Sequence, residues 1–228
     1  DPGITMDVTG GVWFEQDCHL EPARLMGLLR DRLAAMGVEV RYGAEVDGFI
    51  RKGKDVCGVE LVDGPMRDGA SNGVNEVVGC DDVVLAGGSW TSDLTKVLGT
   101  RLPLQAGKGY SLSLENPVEM PELCSIFVER KVAVTPMGNQ LRFAGTMEVG
   151  GNGLSVNARR VQGIVKSVKG YYPKFKDEDF EGVKPWAGLR PCSPDGLPFI
   201  GNLPSAPNVV VATGHAMMGL SLGPITGQ

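Results

Sequence analysis

Two short apolar runs, each followed by glycines, constrain the fold of this chain more than any other feature. Val83–Ala86 is followed by Gly87 and Gly88, and Val209–Ala212 is followed by a turn through Gly214. Such unbroken apolar runs are typical of strands that are buried on both faces of a parallel sheet. Because a helix pattern begins after each glycine turn, the sequence indicates a mixed α/β fold with tight turns at its strand ends.

Glycine is also the residue type that departs most from ordinary composition. The chain has 33 glycines among 228 residues, about twice the usual share. They form no low-complexity tract and no three-residue period, so neither a collagen-like nor a disordered chain is indicated. Separate glycines of this kind predict tight turns and places where the backbone comes close to a bulky ligand.

Charge, hydropathy and cysteine use exclude several functional classes. The 22 basic and 27 acidic residues give a net charge of −5 without a basic cluster, which disfavours nucleic-acid binding. No apolar window is long enough for a transmembrane helix, and the first ten residues lack the blocks of a signal peptide. The five cysteines are widely spaced and form no CxxC pair, so a disulfide framework or zinc site is disfavoured and a cytoplasmic location is expected.

Hydrophobic periodicity predicts the remaining elements. Predicted helices cover Glu21–Met36, Thr91–Leu98 with Ser89 as a candidate cap, and Ala158–Tyr171, and a further helix begins after Gly219. Predicted strands cover Val38–Tyr42, Val46–Arg51, Val56–Leu61, Asn75–Gly79, Tyr110–Leu114, Ser125–Glu129, Val132–Thr135 and Gln140–Thr146. The three strands between Val46 and Gly79 are expected to form a β-meander. The four strands between Tyr110 and Thr146 are expected to be antiparallel. A solvated charge run is predicted over Lys174–Glu181.

Four passages, in this order along the chain, resemble one family of flavoenzymes. They are Gly11–Phe14 with His19–Leu25, Val83–Trp90, Gly188–Gly201, and Asn208–His215 with Gly219–Ser221. Together they resemble the D-amino-acid oxidase-like FAD-dependent oxidoreductases, and the branch of bacterial D-amino acid dehydrogenases fits best. The run Lys108–Ser111 and the run Leu141–Glu148 also fit that branch.

The resemblance implies a Rossmann-like FAD-binding domain with an inserted substrate domain. Residues 1–100 and 184–228 would belong to the FAD-binding domain, and residues 101–183 to the antiparallel-sheet substrate domain. The GxGxxG strand-turn-helix unit, which holds the FAD pyrophosphate in this family, is absent from the sequence. The last predicted helix also lacks a stop signal, so we expect the chain to be the central and C-terminal part of a longer enzyme. Whether such a fragment binds FAD by itself stays open.

Substrate contacts are expected from two residues. The resemblance implies that Arg190 binds the substrate carboxylate, a role for which its planar donor fork is suited. The alternative is a structural arginine paired with Asp195 or with a backbone carbonyl. Tyr110 would face the flavin from the substrate domain and offer its hydroxyl to the substrate, whereas the alternative is an ordinary strand aromatic.

Cofactor contacts are expected mostly at the two glycine turns. Backbone N–H groups at a helix start carry partial positive charge, which suits the electron-rich edge of a reduced flavin, although an ordinary glycine turn would have the same pattern. Gly188 stands where sarcosine-oxidase relatives carry the flavin-linked cysteine, so the FAD is expected to be non-covalent. No metal ligand is predicted. The expected FAD contacts are Val46, Ala86, Gly87, Gly88, Gly188, Gly214, His215, Gly219, Leu220 and Ser221.

The function implied is oxidation of a small D-amino acid by hydride transfer to FAD. The imino product would hydrolyse to a 2-oxo acid and ammonia, and a quinone or oxygen would be the electron acceptor. With a quinone, contact with the inner membrane would be peripheral. Two alternatives stay open, namely a flavoenzyme for glycine, sarcosine or a 2-hydroxy acid, and a non-catalytic binding module without the dinucleotide fingerprint.

Overall fold

A computed structural model describes residues 6–63 and 76–228, which form two compact units. Unit 1 contains the described residues of 1–38, 108–148 and 153–188, and unit 2 those of 39–107, 149–152 and 189–228. The helices are α1 Pro22–Ala35, α2 Thr91–Val97, α3 Ala158–Tyr171 and α4 Gly219–Thr226. The strands are β1 Ala44–Lys52, β2 Asp55–Asp63, β3 Glu76–Gly79, β4 Val83–Leu85, β5 Gln105–Glu115, β6 Ser125–Phe127, β7 Val132–Met137, β8 Gln140–Gly150, β9 Trp186–Cys192, β10 Phe199–Leu203 and β11 Ala206–Thr213.

Unit 2 contains the predicted β-meander. Strands β1, β2 and β3 pair in sequence order and antiparallel, with Val46 opposite Leu61 and Val59 opposite Val78. The turn between β1 and β2 contains Gly53 at φ 68°, a conformation that glycine adopts without steric cost. The prediction of a meander is therefore confirmed for the described strands.

The second sheet of unit 2 contains the two apolar runs, which are strands as predicted and lie side by side. The prediction that both are buried on both faces was wrong for β4, because Val84 is 64% exposed. Strand β4 lies parallel to β11, with Val84 opposite Val210, and β10 pairs antiparallel with β11 on the other side. Leu85, Val209 and Val211 are buried in the core of this unit. Because the two strands are parallel, the glycine turns that follow them begin at the same edge of the sheet.

Asn208 joins the meander to the parallel pair. Its side-chain amide donates to the carbonyls of Val56 (2.7 Å) and Asp81 (2.6 Å), and its Oδ1 accepts from the Val56 N–H (2.9 Å). One side chain thus satisfies backbone groups of the β2 start and of the turn before β4, which explains how the two sheets keep their places within the unit.

Replacing Asn208 by Ala is expected to lower the free energy of unfolding by about 2–4 kcal/mol, because three hydrogen bonds are lost and backbone groups lose their partners. Unfolding in urea, monitored by circular dichroism, would measure this change in the free energy of unfolding. Asn202→Ala is the matched control, since this exposed asparagine makes a single bond to the Pro207 carbonyl (2.7 Å). An equal loss in both variants would contradict the role of Asn208.

Unit 1 is built on a five-stranded sheet in the order β6-β7-β8-β5-β9, and α3 covers one of its faces. The pairs β6–β7 and β7–β8 are antiparallel, as predicted. Helix α3 spans the predicted residues and is capped by the Asn157 side chain, which accepts from the Arg159 N–H (3.1 Å). The core contains Tyr110, Leu112, Leu114, Phe127, Val132, Val134, Leu141, Phe143, Ile164, Val168, Tyr172 and Phe175.

Several local predictions were wrong. Val38–Tyr42 is exposed and is not part of a strand. Ser89 does not cap α2, which begins after Trp90 without a side-chain cap. Phe175 lies in the predicted charge run, yet it is buried in the core of unit 1 because its ring packs edge-on against Phe143. Strands β9 and β10 were not predicted, since their glycines and prolines break the alternation on which strand prediction depends.

The N-terminal segment is attached to unit 1 in the structure. Met6 packs against its core, and the Asp7 N–H donates to the Tyr171 carbonyl (3.0 Å), whereas α1 has no buried residue. The assignment of residues 1–100 to an FAD-binding domain and of 101–183 to a substrate domain remains a prediction. Within the described part of the chain, no helix combines the length and apolar character needed to cross a bilayer.

Candidate functional site

The carboxyl ends of β4 and β11 bring two predicted glycine turns together in unit 2. The chain leaves β4 through Ala86, Gly87 and Gly88, and it leaves β11 through Gly214. The Thr213 hydroxyl donates to the Gly88 carbonyl (3.0 Å), which connects the two turns directly. Ligands of open α/β sheets bind outside the carboxyl ends of the strands, so this edge is the candidate cofactor site.

The two glycines with positive φ in these turns serve different purposes. Gly88 has φ 57°, and a Cβ built on it would meet no atom within 4 Å. Gly214 has φ 84°, and its Cβ would lie 3.3 Å from the Phe199 ring and backbone nitrogen. Gly214 is therefore needed for local packing, whereas Gly88 leaves open space in which a ligand can approach the backbone.

The strand that carries Arg190 ends beside the second glycine turn. The backbones of Cys192 and His215 pair as an isolated antiparallel β-bridge. Next to it, the Ala216 N–H donates to the Pro191 carbonyl (3.0 Å). Arg190 itself is half-buried in β9, two residues before this bridge. The structure thus places Arg190 and the turn of Gly214 and His215 close to one another within unit 2.

Helix α4 follows this turn, and its first turn offers backbone N–H groups as hydrogen-bond donors. Its first N–H groups belong to Gly219, Leu220 and Ser221, and a helix leaves such groups without intrahelical partners. No charged residue lies between positions 196 and 228, so the partial positive charge of the helix start is not neutralised within that stretch. His215 contacts the far end of α4 through Nε2 and the Thr226 hydroxyl (2.9 Å).

These residues fit an FAD molecule at the flavin side of its site. The open space at Gly88 leaves room for a ligand, and the α4 start offers N–H donors of the kind that the electron-rich edge of a reduced flavin would need. The hydroxyls of Ser89 and Thr91, next to Gly88, are buried and have no hydrogen-bond partner among the described residues. The sequence has no GxGxxG turn for the pyrophosphate, so the fit concerns the flavin contacts alone.

Two predicted cofactor residues are not part of the two glycine turns. Val46 is half-buried in β1 of the meander, a different sheet from β4 and β11. Gly188 belongs to unit 1. The ring of Trp186 fills the space next to Gly188, and a Cβ atom added to this glycine would lie only 2.1 Å from the ring. The structure therefore does not bring Val46 or Gly188 to the glycine turns by any recorded contact, and their cofactor roles remain predictions.

Tyr110 is part of a polar network in unit 1 that sequence reasoning missed. It is 1% exposed, and its hydroxyl donates to Glu148 Oε2 (2.9 Å). Glu148 also pairs with Lys108 Nζ (3.2 Å) and Arg160 Nε (2.9 Å). The ammonium of Lys108 donates further to the Gly153 and Ser155 carbonyls. The only sequence signal was the spacing of Lys108 and Tyr110, which places both on one face of β5.

This network shifts the pKa values of its charged groups. The hydrogen bond from Tyr110, with the two cations next to it, holds the pKa of Glu148 below its ordinary value against the effect of burial. Burial alone would lower the pKa of Lys108, but the hydrogen bond and charge of Glu148 outweigh it and raise that pKa. Both groups are therefore held in their charged forms.

Glu148→Gln is expected to lower the melting temperature at pH 7 by several degrees, since the stabilising charge is lost. Because the folded-state pKa of Glu148 is lowered, its contribution is present above the unfolded pKa of about 4.3 and disappears as the pH falls through the folded pKa. Thermal unfolding across pH 3–8 should thus show the two proteins converging at acid pH. Glu181→Gln, at an exposed site, is the control, and a difference between wild type and Glu148→Gln that does not shrink as the pH falls would refute the assignment.

Comparison with known proteins identifies similar sequences over the whole chain. The family profile described as "DAO: FAD dependent oxidoreductase" matches residues 1–228. The chain is 30% identical over 218 residues to a D-amino acid dehydrogenase of Paramagnetospirillum magneticum, covering 95% of this chain and 48% of that protein. It is 35% identical over 196 residues to a D-amino acid dehydrogenase of Xanthobacter autotrophicus, covering 85% and 43%. The chain thus spans about half the length of these relatives.

Solved structures share the fold. Glycine oxidase from Geobacillus kaustophilus superimposes with a TM-score of 0.71 at 26% identity, over 89% of this chain and 51% of that one. Glycine oxidase from Bacillus cereus gives 0.72 at 22% identity, over 90% and 53%. L-proline dehydrogenase from P. horikoshii gives 0.72 at 17% identity, over 90% and 53%, which shows likeness of fold alone. The predicted fold class is confirmed by these structures.

Proposed function

Because the chain belongs to the DAO family of FAD-dependent oxidoreductases, we propose that the protein containing it oxidises a small D-amino acid. The product is an imino acid, which water hydrolyses to a 2-oxo acid and ammonia. Both similar relatives named above are D-amino acid dehydrogenases, which supports this substrate class. The FAD is proposed to be non-covalent, and oxygen or a quinone is the final acceptor. A quinone would bring the protein from the cytoplasm to the inner membrane surface.

One observation carries the proposal. The antiparallel bridge between Cys192 and His215 fastens the strand of Arg190 to the turn of Gly214, at the carboxyl edge of the parallel strands. A cation that suits a carboxylate therefore lies close to a turn that suits a flavin. An oxidase or dehydrogenase of amino acids needs these two groups together, because the reacting Cα is bonded to the carboxylate that the enzyme holds.

Each residue then has a definite task. Arg190 binds the α-carboxylate with its guanidinium fork and orients the substrate Cα–H bond. Gly88 lets the backbone approach the cofactor, and the N–H groups of Gly219, Leu220 and Ser221 stabilise negative charge at the helix start. When bound, FAD supplies the acceptor for the hydride that leaves Cα. The amino group loses a proton in the same oxidation, so the substrate loses two electrons and two protons in all.

A second substrate class is favoured by a specific observation. Glycine oxidase from Geobacillus kaustophilus shares the fold at 26% identity, so glycine or sarcosine is the alternative substrate. A 2-hydroxy acid would present the same carboxylate to Arg190. The carboxylate contact is common to all of these molecules, and the group attached to Cα distinguishes them.

The visible spectrum of the purified protein, recorded anaerobically, tests the proposal. Loss of the flavin band on addition of D-alanine, with pyruvate formed, is the expected result. A band that persists with D-alanine but disappears with glycine, sarcosine or a 2-hydroxy acid would move the function to the alternative class. A protein that neither contains FAD nor takes it up would refute the flavoenzyme proposal. Reoxidation by air or by a soluble quinone then identifies the acceptor.

A further inference from the structure

Two cysteines that are far apart in the sequence lie opposite each other in the meander of unit 2. The pairing of β2 with β3 places Gly58 opposite Gly79. In the same antiparallel register, the residue before the first glycine, Cys57, is opposite the residue after the second, Cys80. The Cys80 N–H donates to the Cys57 carbonyl (3.2 Å), as expected of a directly opposed, hydrogen-bonded pair. The two thiols therefore belong to cross-strand neighbours.

The spacing of such a pair suits a covalent bond between the two sulfur atoms. Opposed residues of a hydrogen-bonded antiparallel pair have Cα atoms about 5.5 Å apart, and their side chains lie on the same face of the sheet. A disulfide needs a Cα separation of about 4.4–6.8 Å. The backbone is thus already at a suitable separation, and only side-chain rotation is needed to bring the sulfur atoms together.

Asn208 holds the backbone on both sides of the cysteine pair. Its amide donates to the carbonyl of Val56, the residue before Cys57 (2.7 Å). It also donates to the carbonyl of Asp81, the residue after Cys80 (2.6 Å). Because one side chain holds both flanking residues, the two cysteine backbones keep their separation while the side chains react.

The two thiols differ in exposure, which gives each of them a separate role. Cys57 is exposed, and its Sγ lies 3.6 Å from the Ile50 carbonyl. Since a thiol is a weak donor, this contact does not prevent rotation of the side chain. Cys80 is half-buried, and burial, with the negative charge of Cys57, Asp81 and Asp82 near it, raises the pKa of its thiol. Cys57 is thus the accessible thiol, whereas Cys80 keeps its proton until a partner sulfur is in place.

We propose that Cys57 and Cys80 form a redox-active thiol pair that a peroxide converts into a disulfide. The Cys57 sulfur attacks one peroxide oxygen, so that a sulfur–oxygen bond forms, the oxygen–oxygen bond breaks and water leaves. The Cys80 sulfur then attacks the resulting sulfenic acid, the sulfur–sulfur bond forms, and a second water leaves with the Cys80 proton. The two thiols lose two electrons and two protons, and the peroxide is reduced to two waters.

The chemistry around the pair favours this reaction over metal binding. Within the described part of the chain, no three cysteine, histidine or acidic residues form a group that could hold a metal ion, and zinc takes four ligands. The pair precedes β4, whereas the glycine turn of Gly87 and Gly88 follows the carboxyl end of that strand. The proposed modification site is therefore separate from the candidate cofactor site and does not depend on the proposed function.

Peptide mass spectrometry of the purified protein tests the proposal. The protein is reduced, freed from the reductant, treated with hydrogen peroxide, alkylated and digested. The peptides of Cys57 and Cys80 should be recovered joined, with at least about tenfold more of this pair than of any other cysteine pair, because an adjacent thiol has a high effective concentration. Dithiothreitol should restore both thiols.

Three variants make the test specific. Cys80→Ser should leave Cys57 as a sulfenic acid, which dimedone traps, because the second thiol is missing. Cys57→Ser should leave Cys80 open to alkylation after the peroxide treatment. Cys124→Ser removes another exposed cysteine and is the matched control, which should form the disulfide between Cys57 and Cys80 as wild type does.

The outcomes also separate this proposal from the proposed function. Recovery of Cys57 and Cys80 as alkylated thiols, under conditions that oxidise Cys124, would overturn the thiol pair. Joined peptides whose yield falls on dilution would show pairing between two molecules, and this result would overturn it as well. Formation of the disulfide in a protein that oxidises none of the candidate substrates would support the thiol pair and refute the proposed function.

Discussion

Arg190→Met is expected to lower kcat/KM for the amino-acid substrate by about 100- to 1,000-fold, because a bidentate, charge-assisted contact with the carboxylate is lost. The strand that carries Arg190 is fastened to the turn of Gly214 by the bridge between Cys192 and His215. Loss of the guanidinium should therefore weaken substrate binding and leave the position of the Gly214 turn unchanged. Anaerobic reduction of the flavin by substrate would measure the rate, and the flavin spectrum would show whether the cofactor is retained.

Two further variants make this result specific. Arg190→Lys keeps the charge without the donor fork, so its activity should lie between wild type and Arg190→Met. Arg101→Met removes an exposed arginine of the same unit and should have no effect. A loss below threefold in Arg190→Met, with the flavin bound normally, would show that the carboxylate is held by another group.

Gly88→Asn is expected to weaken FAD binding by at least about 10-fold, because the new side chain extends into the space that the cofactor needs. Gly88 has φ 57°, a left-handed conformation that asparagine tolerates better than other non-glycine residues. A built Cβ meets no atom within 4 Å, so the fold itself has room for the substitution. Titration of the deflavinated protein with FAD, followed by flavin fluorescence, would give the dissociation constant.

Gly138→Asn is the matched control for this variant. Gly138 lies in the turn between β7 and β8, has φ 61°, and likewise has no atom within 4 Å of a built Cβ. Both variants carry the same conformational cost, so a difference in FAD affinity reports on the position alone. Equal FAD affinity in both would remove Gly88 from the cofactor site.

Local sequence patterns predicted most helices and strands of the chain. Helix α3 was predicted with its observed bounds, and α1 within one residue at each end, because both have clear helical spacing. Strands β9 and β10 were missed, since Pro191 and Gly201 interrupt their patterns. Their backbone groups are satisfied by neighbouring strands, which only the assembled sheets supply.

The candidate site of unit 2 and the polar network of unit 1 could be predicted only in part for the same reason. The glycine turns and Arg190 were recognised from motifs, whereas Lys108, Glu148 and Arg160 were not. These three residues are up to 52 positions apart in the sequence, and each is an ordinary charged residue in its own segment. Their pairing results from the neighbouring positions of β5 and β8 and from the packing of α3 over the sheet.

The sequence by itself determined the two apolar strands and the glycine turns that follow them, and its motifs indicated the family, because each of these signals depends on residues that are contiguous in the chain. Only the tertiary structure decided which distant groups meet. The bridge between Cys192 and His215 placed Arg190 beside Gly214, and strand pairing placed Cys57 opposite Cys80. The physical reason is that alternation and turn chemistry act over a few residues, whereas strand pairing and burial act on the whole chain at once.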